Sequence, residues 1–253
     1  MQLAALWRYP VKSMAGEALD EATLVGGAIV GDRRWAVVVQ ATGALLSAKR
    51  AGRLLEASAS CVAGDDARVI VSLPSGVIGE AGDPDLDRAL SSWLGLEVAL
   101  RQPTEGVANR IDMDVPDPTG DGLLEPTHFS TQPGSFFDSR SPLHAVTTGT
   151  MGWLDDEHGA GAGDPRRYRP NLVIAGDDEA AWIGGTLRIG DLVLDVRKAT
   201  ERCVIVTRPQ PGLPEDRALL RHLARTRATC VGVYLQPVAD GVLAVGERVT
   251  LLH

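Results

Sequence analysis

Four short clusters carry the chemistry legible in this sequence. In Tyr9-Pro10-Val11-Lys12-Ser13, Pro10 fixes the backbone and sets an ammonium and a hydroxyl side by side at a strand edge, a pairing suited to a phosphate. Gly31-Asp32-Arg33-Arg34-Trp35, followed by Ser47-Ala48-Lys49-Arg50, offers guanidinium forks and an ammonium for anion recognition, with Asp32 able to pair with one of them. Arg166-Arg167-Tyr168-Arg169-Pro170-Asn171 sets three arginines just before an apolar run. They are expensive to hold together without an anion, and Asn171 adds an amide that can donate to, and accept from, a heterocycle. In Arg202-Cys203 a guanidinium stands beside a thiol, company that favours the thiolate. Read alone, the first two clusters read better as a solvated lysine and surface salt bridging, and Cys203 reads equally well as a small core residue.

Other familiar devices are absent from the sequence. There is no G-x-x-x-x-G-K-[ST] phosphate loop, no H-E-x-x-H helix and no cysteine pair spaced for zinc or iron–sulfur ligation. The run Gly159-Ala160-Gly161-Ala162-Gly163-Asp164 precedes Pro165 rather than opening a helix, against what a dinucleotide loop requires. The histidines His128, His144, His158, His222 and His253 show no ligand spacing and read as surface or packing residues. Cys61 and Cys230 read as small core residues. Asp32, Glu179 and His144 are weak candidates for a general acid and read better as structural polar residues.

The elements that must position these clusters are mostly strands. Residues 2–8, 21–25, 35–40 and 68–73 read as short strands, and 83–94 as a helix with Asp83 as N-cap, Pro84 at its first position and Gly95 after its end. Periodicity disappears from 103 to 142, a stretch punctuated by proline that reads as a linker or lid between two halves. Beyond it, 143–148 reads as a strand leading into a helix over 150–157, and 159–167 as a flexible break. The runs 171–176, 186–199 (turning at Gly190-Asp191) and 203–207 read as strands, and 215–228 as an amphipathic helix. The last two strand runs flank Asp240-Gly241, the strongest hairpin signal in the chain.

The chain has 253 residues, 44% hydrophobic and 23% charged, with 28 Gly and 15 Pro, a composition for many short strands and turns. A net charge of −8 argues against a broad nucleic-acid surface while allowing a local basic pocket. Three scattered cysteines and the lack of a signal segment or long apolar run point to a cytoplasmic protein with no membrane partner.

Taken in order, the clusters resemble the MOSC proteins in their two-part form, similar to the mitochondrial amidoxime-reducing component and its bacterial relatives. LWRYPVKSMAGEAL, GDRRW and SAKRAGRL look like the N-terminal part; RYRPNLVIAG, EAAWIGGTLRIGDLVLDV, ERC and GVYLQPVADGVLAVGERVTLL look like the MOSC domain. The resemblance implies a β-rich α+β fold: an N-terminal MOSC β-barrel-type domain over 1–103, a linker or lid over 104–142, and a MOSC β-barrel domain over 143–253, with a cofactor cleft between the two parts. It implies a mononuclear molybdenum on one molybdopterin, with Cys203 as the single protein thiolate ligand. It also implies that Lys12, Ser13, Arg33, Lys49, Thr147, Thr148, Thr150, Arg169, Asn171 and Arg202 bind the cofactor. Lys49 stands where close relatives often have Arg, and Thr150 where Ser is common.

The activity so implied is oxygen-atom removal from N-hydroxylated or N-oxide small molecules. With no fused ferredoxin module or membrane anchor in the sequence, the electrons are expected from a separate ferredoxin or haem protein. Two alternatives stay open: a sulfur carrier or sulfurtransferase using a Cys203 persulfide, and a non-catalytic cofactor-binding protein.

Overall fold

The computed structural model describes residues 1–116 and 124–252, so His253 and the 117–123 part of the expected linker lie outside them. Two packing units are present, each discontinuous in sequence: one comprises Met1–Arg8, Glu17–Asp32 and Ser141–His253, the other Tyr9–Gly16 and Arg33–Arg140. Residues 1–8 and 17–32 thus pack with residues 141–253.

The first unit is built on one eight-stranded sheet. Its spatial order is Val249–Leu252, Thr186–Ile189, Leu192–Glu201, Cys230–Pro237, Leu143–Thr147, Leu172–Ala175, Gln2–Arg8 and Glu17–Leu19. Neighbours are antiparallel except Leu143–Thr147 with Leu172–Ala175, which run parallel. That parallel connection needs a crossover, and the helix Thr148–His158 supplies it. Buried Leu3, Leu6, Leu143, Leu172, Leu194 and Leu235 fill one side. Val146, Leu154, Tyr168, Leu219 and Leu223 form a second core under the helices. The ladder is open rather than a closed barrel. Leu3 exchanges backbone bonds with Glu247 and Gly246, but only the single bridge Gln2–Arg248 forms there.

The second unit pairs Ala36–Val39 with Val98–Arg101, Arg110–Pro116 with Leu124–Ser130, and Ser58–Val62 with Asp65–Ser72 and Ile78–Glu80. Its helix, Pro84–Leu94, carries the caps read from the sequence: Asp83 accepts from Asp85 N at 2.8 Å, and Gly95 closes the end at φ 67°. The β-rich α+β class follows from both units.

Several local expectations are overturned. Residues 204–207 form a 3-10 turn, not a strand, because the Thr207 hydroxyl donates to Val204 O at 2.8 Å and the run has no strand partner. Asp240-Gly241 does not close a hairpin between its flanking strands. Gly241–Ala244 pairs with Glu21–Val25 instead, and Asp240 Oδ1 accepts the Gly26 N–H at 2.8 Å. The helix read at 215–228 is Leu219–Arg227, since Asp216 turns its carboxylate onto the N–H groups of Ala218 and Leu219. The 159–167 break is tethered: Asp155 Oδ1 accepts from Gly161 N and Gly163 N, each at 2.9 Å, and a one-turn helix, Pro165–Tyr168, opens directly after the glycines. The described part of 104–142 holds a strand pair rather than irregular chain. No helix among the described residues is long and apolar enough to cross a membrane.

Candidate functional site

In the second unit, Lys12, Arg33 and Lys49 converge on one carboxylate. Lys12 Nζ lies 2.9 Å from Asp138 Oδ1 and donates to Phe136 O at 2.8 Å, and Lys49 Nζ lies 3.9 Å from Asp138 Oδ2. Arg33 stacks on Tyr9 and Phe137, and Lys49 on Phe129. Burial pushes the Asp138 carboxyl up, but Lys12, Lys49 and Arg33 together hold it below its ordinary value. Lys12 shifts down, because burial and the two neighbouring cations outweigh Asp138.

Ser13 and Arg33 both hold left-handed backbone, at φ 72° and 50°, which non-glycine residues seldom adopt. Both are pinned: Ser13 Oγ accepts from Ala48 N at 3.0 Å, and Arg33 N donates to Tyr9 O at 2.8 Å. Beside them the Ser47 hydroxyl is buried with no hydrogen-bond partner. Three cations about one carboxylate, with an unsatisfied hydroxyl in the same loop, suit an anion such as a phosphate.

The other predicted residues belong to the first unit. Arg202 donates from Nε to Val231 O at 2.8 Å and from Nη1 to Tyr168 O at 2.9 Å, and its Nη2 meets His144 Nε2. A guanidinium only donates, so the His144 ring is the acceptor in this contact. Burial lowers the Arg202 pKa from its ordinary value, against the opposing pull of Tyr234 and Cys203. Among the described residues no carboxylate forms a direct ion pair with Arg202, although Glu179 also pulls its pKa up from a distance. Cys203, next in sequence, is half-buried and caps the 204–207 turn through its backbone, leaving its Sγ without a hydrogen bond among the described residues.

Other predicted side chains are engaged by the protein itself. Asn171, fully buried, donates from Nδ2 to Trp7 O and Asp32 Oδ2 and accepts His144 N–H on Oδ1. Thr147 and Thr150 give their hydroxyl protons to Glu179 Oε2 at 2.6 and 2.7 Å. Thr148 is exposed, its Oγ1 3.4 Å from Gly176 N. Glu179, at 0% exposure, also accepts Gly232 N–H on Oε1 at 2.7 Å, with Arg227 3.8 Å away. It is the hub that joins the crossover helix to the strand Cys230–Pro237.

The expectation that three arginines share an anion is overturned. Arg166 forks onto Asp164, and the buried Arg167 is satisfied by the carbonyls of Gly161, Val206 and Pro214. Arg169, half-buried, ends the one-turn helix at φ 54°.

Sequence reading missed Asp138, which lies in the segment without periodicity; its one signal is an acid directly after Phe136-Phe137. Glu179, a structural polar residue in the sequence reading, collects four donors up to 53 residues away, partners that no local pattern marks.

A molybdenum cofactor fits these residues. Among the described residues no group of three or more His, Cys, Asp and Glu is placed to hold a metal ion. One half-buried sulfur is enough for a metal whose organic ligand brings two more, and Arg202 supplies half-buried positive charge beside it.

Residues 1–102 match the family described as MOSC N-terminal beta barrel domain, and residues 126–250 the family described as MOSC domain. Among solved structures, the YUAD protein from Bacillus subtilis aligns at a TM-score of 0.50 and 10% identity, covering 99% of this chain and 94% of that one, a likeness of fold. YiiM from Geobacillus stearothermophilus aligns at a TM-score of 0.35 and 14% identity over 60% of this chain and 76% of that one. A comparison with curated proteins finds no match. With both of its domains matched in order, this chain belongs to the MOSC-domain proteins, a family associated with molybdenum cofactor binding.

Proposed function

We propose that the protein is a molybdenum cofactor-dependent oxidoreductase acting on N-hydroxylated or N-oxide small molecules. The observation that carries this reading is Arg202: a half-buried cation that forms no ion pair among the described residues, next to a thiol with no hydrogen bond among them. When bound, the cofactor supplies a two-electron redox centre that accepts the substrate's oxygen. Cys203 is the single protein ligand to the metal. Arg202, tied to the carbonyls of Val231 and Tyr168, fixes the backbone that carries the thiol and sets positive charge beside it. His144 helps hold the guanidinium in place through Nε2.

The Lys12, Arg33 and Lys49 cluster of the second unit suits a phosphate group, with Ser13 holding its loop through Ala48. Arg169 is the remaining basic group, while Thr147, Thr150 and Asn171 serve by shaping the backbone rather than by offering free polar atoms. Electrons come from a separate protein of the ferredoxin or haem class.

The test is purification from cells that make the cofactor, with assays for molybdenum, pterin and cysteine-bound sulfane sulfur. Near-stoichiometric metal and pterin, metal lost in Cys203→Ala, and turnover of an N-hydroxylated substrate with an artificial reductant are expected. Sulfane sulfur without metal would instead mark a sulfur carrier, and bound cofactor without turnover a binding protein.

A further inference from the structure

A cavity of about 520 Å³ opens between the 204–207 turn and the helix Leu219–Arg227. Its size lies within the roughly 300–1,000 Å³ of small-ligand sites. Leu220 and Ala224, with Val204 from the turn, supply an apolar wall. Arg208, Arg217 and Arg221 bring three guanidiniums to the same lining. Glu215 is the one carboxylate there, and it lies 3.1 Å from Arg217. Three cations to one anion make this a locally basic site on a chain of net charge −8. Arg221 has no ion pair among the described residues. The cavity adjoins the thiol segment, since Val204 follows Cys203 and the lining residue Thr229 accepts the Arg202 N–H at 2.8 Å.

The geometry points to a binding site for a small organic anion, a carboxylate or sulfonate carried on an apolar body. The guanidiniums offer paired N–H donors to the anionic oxygens, and the apolar wall matches the body. An inorganic anion would leave the wall unused, and a neutral apolar molecule would leave Arg221 without a counter-charge. The site stands on its own lining and does not depend on the cofactor reading.

Calorimetric titration of the purified protein with 1-naphthalenesulfonate tests it, alongside 1-naphthol and inorganic sulfate. One saturable site is expected for the sulfonate, with 1-naphthol and sulfate each weaker by at least about tenfold. Arg221 and Ala224 are both exposed, so Arg221→Ala and Ala224→Trp should keep the wild-type melting temperature. Each should weaken the sulfonate at least about fivefold, one by removing charge and the other by filling the cavity. Absence of saturable binding, equal binding by both folded variants, or 1-naphthol or inorganic sulfate binding as tightly as the sulfonate would overturn the inference.

Discussion

Lys12 Nζ and Asp138 Oδ1 lie 2.9 Å apart across 126 residues of sequence, the closest ion pair in a cluster that also holds Lys49 and Arg33. The lysine is nearly buried and the aspartate partly exposed, with side-chain exposures of 10% and 42%. Asp138 therefore neutralises part of the charge offered to any incoming anion.

Replacing Asp138 with Asn should destabilise the protein at neutral pH by about 1–3 kcal/mol, since a nearly buried ammonium loses its charged acceptor. The same change should strengthen inorganic phosphate binding, read as a larger phosphate-induced rise in melting temperature than in wild type. The pH dependence has a defined sign. A carboxyl held below its reference value of 3.8 stabilises the fold above that pH and ceases to do so as pH falls through the lower folded value. Denaturation curves should show wild type losing stability faster than Asp138→Asn below about pH 4, and parallel curves would contradict the pairing.

Glu179→Gln should cost on the order of 3 kcal/mol, measured by urea unfolding. The carboxylate accepts the Thr147 N–H and the Thr147 and Thr150 hydroxyls on Oε2 and the Gly232 N–H on Oε1; an amide turns an N–H₂ onto one of these two sets of donors. Thr150→Val removes a single charge-assisted bond and should cost about 1.5–3 kcal/mol.

Gly232→Ala should fail to fold or melt far earlier than wild type. Gly232 sits at φ 82°, where a Cβ would stand 2.2 Å from His144 Nε2 and 2.5 Å from Ala145 O. A wild-type melting temperature would mean that His144 is free to move aside.

Arg202→Lys keeps the charge but cannot span Val231 O, Tyr168 O and His144 at once. The variant should retain a titratable Cys203 thiol yet carry less than about a tenth of the wild-type molybdenum. Full metal content would remove Arg202 from the proposed site.

What the sequence by itself determined is local. Asp83 and Gly95 bound their helix, Gly190-Asp191 turns the hairpin between Thr186–Ile189 and Leu192–Glu201, and the apolar runs set the strands of the large sheet, because each signal acts within a few residues. The ordered motifs also marked Lys12, Arg33 and Lys49, which the second unit gathers around Asp138. Only the tertiary structure decided the partners. Asp240-Gly241 carries a strong turn signal, yet its strand joins Glu21–Val25 from the opposite end of the chain. Three adjacent arginines look alike in sequence, yet one forks onto Asp164, one is buried among carbonyls and one ends a helix. Thr147, Thr150 and Asn171 look like free polar groups until Glu179 and Asp32 are folded against them. A buried donor or acceptor must find a partner wherever the fold brings one, and that choice is made by packing across long stretches of chain.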